Sequence, residues 1–530
     1  MFARLLRRIL NAPGLVIWLP ALVAVLLASL PTLFLEAAPE PIIEDEWGYL
    51  LSADTFAQGR LTNKTHELWQ QFETIHQFHE PSYQSKYPPG QSLLLALGQI
   101  LGHPIIGVWI GVAFMVASII WMLRALMPMR WAWVGGWVVT CQYVVIGQPF
   151  LTGTFGYWSQ SYWGGALAAG GGALVFGGVA RILKEPKTSS AVALASGLLI
   201  LANTRPLEGL LASLVPCLWT VVWFIRQKGA ARLPALKRVV LPALLVLIPG
   251  FAFMGYYNQR VTGDPLEMPW NTHYEQYCVF PVSLWQEPPA DREWRYDDLV
   301  AFHKGLEMRM YTRHLDVKGL VVASVRKIAR FWIFFIGPVF TIPLLLGAFQ
   351  LARNRLMRWV ALPVGLILVS ALTKFGSPPH YSAPVAGLVV ALIVQSLRYL
   401  SRWQWKGKAA GRAIVRAVMI TGLIGSGLGV YLSTLNAITT HAEDRVLADQ
   451  ELQAVPGEHL VLVTYGPNHS DGDHWIYNRA DIDSAKVIWA RDSSPEARAK
   501  LLEYFKGRKI WTVHVGFDDP HPRAVPFSGE

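Results

Sequence analysis

The stretch YPPGQSLLLALGQIL, residues 87–101, decides how the rest of the chain is threaded. It is short for a membrane crossing, which takes about 20 apolar residues as a helix. Pro88 and Pro89 suit the first turn of a helix, where the missing N–H has no partner to lose. The segment is therefore expected to be a juxtamembrane or re-entrant helix that does not span. If it did span, every basic loop after it would change sides.

Longer apolar runs lie on both sides of it. Spans are expected near 15–35, 104–123, 132–149, 161–181, 189–204, 207–225, 239–257, 321–350, 359–373, 382–397 and 413–433. The 530 residues are 52% hydrophobic and only 16% charged, so the chain is expected to be a polytopic α-helical membrane protein. The net charge of +11 does not point to nucleic acid once the basic residues are placed. They cluster before the first span (Arg4, Arg7, Arg8) and after the second, fourth, sixth, eighth and tenth. With eleven spans, all of these loops fall on one side. The positive-inside rule then puts the N-terminus in the cytoplasm and the C-terminus outside an inner (plasma) membrane. The opening MFARLLRRIL with its long apolar run reads as an uncleaved first helix rather than a signal peptide. Cys141, Cys217 and Cys278 form no CxxC pair, so neither a disulfide framework nor a cysteine metal site is expected.

The domain division that follows is a membrane domain over 1–433 and a small domain over 434–530. Large exported loops are expected at 36–103, with juxtamembrane helices, and at 258–320. The tail carries strand-like HLVLVTY, KVIWARD and KIWTVHV and a helix-like SPEARAKLLEYFKG, which make an α/β domain outside the cytoplasm. The glycine-rich GGALAAGGGALVFGG, residues 164–178, reads as close helix packing through small residues.

The first exported loop opens on Glu44, Asp45 and Glu46, soon after a span. Acids so close to lipid are costly unless paired or used. DEWGYLLSADTFAQGRLTN (45–63) followed by KYPPGQSLLLALG (86–98) resembles the GT-C superfamily of membrane glycosyltransferases, which includes the protein O-mannosyltransferases and the lipid A aminoarabinose transferases. In that superfamily an Asp or Asp-Glu pair sits in the first exported loop and a proline-bearing segment precedes the next span. NTRPLEGLL (203–211) and GSPPHYSAPVAGL (376–388) also resemble segments of bacterial relatives, although PPHY departs from the RY common there. The resemblance implies about eleven membrane helices of GT-C type. It also implies transfer of a sugar from a polyprenyl-phosphate carrier to an envelope glycan, lipid or protein on the outer face.

Such a transfer needs a base for the acceptor hydroxyl and cations for the leaving phosphate. Asp45 is the expected base. Glu46, its neighbour, is expected to orient the acceptor or a metal, so a divalent cation is left open although no metal ligands are assigned. Glu44 is the weakest of the three. Lys86, Tyr87, Arg205, His380 and Tyr381 are the expected substrate-binding residues. Each basic member has a plainer reading: Lys86 as an interfacial anchor, Arg205 as a snorkelling residue or a partner of Glu208, His380 as a solvated loop residue. His66, His76 and His79 show no ligand-like spacing. GPNHSDGDHWIYN (466–478), with His469, Asp471, Asp473 and His474, matches only a fragment of a calcium loop and reads first as a turn. Trp475, Tyr477, Trp489, Trp511 and the polar residues of NRADID (478–483) suit sugar contacts, or core and turn duties. The tail is expected to help select the acceptor. A transporter or flippase of lipid-linked glycan is the alternative, but it predicts symmetric halves and charges in mid-span. A membrane scaffold leaves the Asp45–Glu46 pattern unexplained.

Overall fold

The computed structural model describes residues 13–146, 156–439, 444–470, 473–517 and 519–528. Arg4, Arg7, Arg8, Asp471 and the end of the run 132–149 lie outside the described residues.

The protein is mostly helical. Among the described residues, eight helices are long and apolar enough to cross a membrane: Gly14–Leu35, Pro104–Leu126, Pro206–Arg226, Gly229–Thr262, Val317–Arg353, Arg355–Leu372, Ala383–Leu400 and Ala410–Leu432. The chain is thus a multi-pass membrane protein. Two further apolar helices, Ala166–Ile182 and Thr188–Ala202, are shorter. At about 1.5 Å per residue they reach roughly 22–26 Å, less than the ~30 Å hydrocarbon layer. In the deciding stretch Pro88 is the cap residue and Pro89 the first residue of the helix Pro89–Ile100. Its length is about 18 Å, too short to span.

The described parts of residues 1–39, 105–253 and 317–438 form one compact unit, and 40–104, 254–316 and the described parts of 439–530 form another.

In the first unit, Ala166–Ile182 lies along Thr188–Ala202, as the glycine-rich sequence requires. A β-carbon on Gly172 would come within 1.9 Å of the Pro384 carbonyl oxygen, so no side chain fits there. The long helix Val317–Arg353 is interrupted at Gly337, whose φ of 68° is one that glycine adopts without strain. The carbonyls freed by the break at Ile333 and Phe334 accept from the Gln142 amide at 2.8 and 2.9 Å. Inside an apolar medium that compensation is needed, because water is not there to supply it.

The second unit joins three stretches far apart in sequence. A two-strand hairpin, β1 (Gln77–Phe78) and β2 (Gln84–Ser85), lies in the first stretch. The third carries a sheet of β3 (His459–Tyr465), β4 (Val487–Arg491), β5 (Lys509–Val515) and β6 (Val525–Pro526), in the order β4-β3-β5-β6. β3 runs parallel to β4 and β5, and β6 is antiparallel to β5. The helix Pro495–Tyr504 makes the crossover between β4 and β5. Leu51, Phe72 and Tyr83 from the first stretch share a core with Leu460 and Ile488 from the sheet and Phe505 from the end of the crossover helix. Ile75 and Phe78 pack with Tyr257, Tyr277 and Phe302 from the second stretch.

Arg491 ties all three stretches together. Its guanidinium bonds the Asp298 carboxylate, donates to the Glu73 carbonyl at 2.9 Å and lies 4.0 Å over the Tyr296 ring. Burial alone would raise the Asp298 carboxyl, but Arg491 and His474 outweigh it and pull it down to about 2. Its contribution to stability is therefore present above the ordinary carboxylate range and is lost as the pH falls toward 2. Arg491→Ala should leave a buried, unpaired carboxylate and destabilise this unit by about 3–5 kcal/mol. For a unit of this size that lowers the melting temperature by roughly 6–20 °C. Calorimetry of the purified variant would check it, and an unchanged transition would show that the pair contributes little.

Candidate active site

Asp45 belongs to the first turn of the helix Glu44–Ala57. Three acids at a helix start face the positive end of the backbone dipoles, which accounts for the run EDE. Glu46 is the third helical residue, and its carboxylate accepts from the Ile42 and Ile43 amides at 2.9 and 3.3 Å. These contacts hold it in the helix cap.

The hairpin brings the partners of Asp45. Register places Gln77 opposite Ser85, so His76 and Lys86 form the next pair out, with the Lys86 amide donating to the His76 carbonyl at 3.2 Å. His76 sits at φ 62°, a left-handed conformation rarely adopted by a residue with a side chain and often seen at functional sites. Lys86 Nζ lies 2.6 Å from His76 Nδ1, and His76 Nε2 lies 3.0 Å from Asp45 Oδ1. The ammonium can only donate, so Nδ1 accepts and Nε2–H donates to the carboxylate. The Tyr87 hydroxyl donates to the same oxygen, Oδ1. Among the described residues, Asp45 Oδ2 takes no hydrogen bond. Tyr87 stacks on Tyr49 at 4.3 Å. Gly48 makes room for it, because a β-carbon there would meet Ser85 Oγ at 2.8 Å and the Tyr87 ring at 3.1 Å.

The electrostatics follow from these contacts. Burial would raise the Asp45 carboxyl, but the His76 bond and charge, with Lys86 and Tyr87, overcome it and hold the group far below the usual carboxylate range. Burial and the Lys86 charge lower His76 to about 4, against the pull of Asp45. At neutral pH His76 is therefore a neutral imidazole and Asp45 a carboxylate. The Asp45 side chain is 28% exposed. The arrangement offers an ionised acceptor oxygen beside a positive charge.

Arg205, His380 and Tyr381 lie in the helical unit and gather there. Arg205 is the cap residue of Pro206–Arg226 and its guanidinium lies 4.9 Å over the Tyr381 ring. Glu208 pairs with Lys374, which also lies 5.5 Å over Tyr381. Lys374 is a residue the sequence reading missed, since nothing local marks a lysine in TKFGSPPHY as the partner of an acid 166 positions earlier. His380 is not a solvated loop residue: it is 1% exposed, 3.0 Å from the Tyr157 hydroxyl, and stacked on the Tyr157 ring.

His76, to which spacing gave no role, is the bridge of the Asp45 cluster. By contrast, the described residues of 466–478 form no group of converging metal-ligating atoms. His469 Nε2 bonds the Asp473 carbonyl at 2.6 Å, Trp475 donates to Asp473 Oδ1 at 2.8 Å, and His474 faces Asp298 at 3.6 Å. Trp475 and Trp489 are core, while Tyr477 stacks on Trp47 at 5.0 Å. In NRADID, Arg479 and Asp483 tie the sheet to the first stretch through Asp54 at 3.2 Å and His66 at 3.0 Å.

No protein-family model matches the chain, and no curated protein matches it by sequence. Among solved structures it is similar to ArnT from Cupriavidus metallidurans in the apo state, with a TM-score of 0.50 and 14% identity over 94% of this chain and 92% of that one. A looser likeness, which carries no argument by itself, is to the archaeal oligosaccharyltransferase AglB from Archaeoglobus fulgidus in complex with an inhibitory peptide and a dolichol-phosphate. Its TM-score is 0.42, with 11% identity over 93% of this chain and 69% of that one. The chain shares the fold of ArnT.

Proposed function

We propose that the protein is a glycosyltransferase that moves a sugar from a polyprenyl-phosphate donor to an envelope glycan, lipid or protein on the outer face of the membrane. The observation that carries this reading is the Asp45 carboxylate, ionised and partly exposed, with Lys86 bridged to it by His76. The fold shared with ArnT supports it.

In the proposed reaction the acceptor hydroxyl oxygen attacks the sugar carbon that bears the phosphate. The carbon–oxygen bond to the phosphate breaks, and the configuration at that carbon inverts. The hydroxyl proton passes to Asp45 Oδ2, and polyprenyl phosphate leaves with the bonding pair. Phosphate carries that charge well, so cations suffice and no strong acid is needed. A carboxylate held as low as Asp45 is a weak proton acceptor. A donor phosphate that draws Lys86 to itself would remove part of that stabilisation and make Asp45 more basic when substrate is bound. Tyr87 orients the carboxylate. In the helical unit, Arg205, His380 and Tyr381 are the proposed donor-binding residues. Glu46 is assigned to the helix cap.

The purified protein, given a radiolabelled sugar on polyprenyl phosphate and envelope extract, should release the carrier and label an acceptor. Movement of the intact donor across vesicles, with no cleavage, would favour a flippase and remove this reading. Lys86→Ala should weaken donor binding about ten- to hundredfold, the worth of one charge-assisted contact. Unchanged donor affinity would make Lys86 an interfacial anchor.

The proposed threading has eleven crossings, counting the shorter apolar helices and the segment that begins at Met129, with the domain at 434–530 outside. A reporter active only outside the cytoplasm should work when fused after residue 434. Activity of a cytoplasmic reporter there would reverse the orientation and place Asp45 on the wrong side.

A further inference from the structure

Among the described residues, Cys278, His303 and Glu307 are the one group of three or more metal-ligating side chains whose donor atoms all lie within 4.8 Å of one another. They come from two elements of the second unit. Cys278 ends the helix Pro269–Tyr277, and His303 and Glu307 stand one turn apart in the wide π-type turn Ala301–Glu307. Such turns recur at functional sites. His303 Nδ1 and Glu307 Oε2 are 2.6 Å apart. His273, on the same helix as Cys278, stands beside the group, with its Nδ1 3.9 Å from Cys278 Sγ.

We propose that Cys278, His303 and Glu307 bind one structural Zn²⁺ ion. Thiolate, imidazole and carboxylate together suit zinc better than magnesium or calcium. A second observation is independent of this clustering: His303 Nε2 is buried with no hydrogen-bond partner. Such atoms carry a desolvation cost that a metal or a bonded neighbour removes. The charges also fit. Two anionic ligands offset the dication, so the Lys86 ammonium nearby would meet no net positive charge. The thiol proton of Cys278 leaves to solvent as the ion binds.

The three side chains are 0–6% exposed, which closes the site to substrate and makes the ion a staple rather than a reagent. It would clamp the two helical elements of residues 254–316. His273 lies 6.0 Å from His76, ring centre to ring centre, so the clamp also supports the imidazole that joins Lys86 to Asp45.

The test uses the full chain, produced in zinc-containing medium without a histidine tag. Elemental analysis should find about one zinc per chain, and reloading with Co²⁺ should give a thiolate-to-cobalt charge-transfer absorption. Chelation should lower the melting temperature of the parent. Cys278→Ser and His303→Gln should bind zinc at least about 10–100-fold more weakly. Cys278→Ser should also lack the cobalt–thiolate band. A parent protein with no zinc above background and no thiolate band at saturating cobalt would overturn the proposal, whether or not the variants fold. A band that persists in Cys278→Ser would do so too.

Discussion

Replacing Asp45 with asparagine is expected to leave the fold standing and to remove nearly all transfer. The amide keeps an oxygen that can accept from Tyr87 and His76, so the helix start and the hairpin retain their contacts. It cannot take a proton from an acceptor hydroxyl. Loss of a positioned base lowers a rate by about 10²–10⁴-fold. The comparison to make is single-turnover transfer by parent and Asp45→Asn, with donor binding and thermal melting measured on the same preparations. A large loss in rate with donor affinity and melting preserved is the expected pattern. Turnover near the parental rate would take Asp45 out of the chemistry, and a collapse of melting would make its role structural.

A chain ending at residue 443 is expected to lose transfer altogether, through loss of structure. Leu460, Ile488 and Phe505 form one core with Leu51 of the helix that carries Asp45. Asp54 of that helix accepts from the Ala480 amide at 2.9 Å. The tail thus supports the Asp45 helix, whatever part it also plays in acceptor choice. Proteolysis of the truncated chain should cut within residues 40–104 at sites that resist in the parent. A truncated protein that resists cleavage there and transfers sugar normally would show that the core is dispensable.

The main elements were legible because their signals are local. Apolar runs marked the membrane helices, YPPG marked a helix start, and HLVLVTY and KIWTVHV became β3 and β5. Lys86 and Tyr87 were legible as neighbours of Asp45 only through the resemblance of the segment that holds them. What was not legible depends on contacts between distant residues. Nothing in TIHQFHE distinguishes His76 from His79, yet one bridges Lys86 and Asp45 while the other bonds the Phe72 carbonyl at 3.0 Å. The difference is made by a hairpin register that only the folded chain displays. In the same way Glu208 had a visible candidate in Arg205, and the fold chose Lys374. Glu46 was open to a better local reading, since an acid at the third helical position is a common partner for the amides of a helix start.

The interleaving of residues 40–104, 254–316 and 439–530 in one unit also sets an order of events during synthesis. The stretch bearing Asp45 is made early, but the sheet that completes its core comes from the last hundred residues. At about 5–20 residues per second, the ribosome needs roughly 20–90 s to pass from the first stretch to the last. Through that interval Leu51, Phe72 and Tyr83 have no sheet to pack against, and their apolar surface is open to chaperones, proteases and the bilayer surface. The nascent protein carries its Asp45 helix long before the sheet that holds that helix in place has been made.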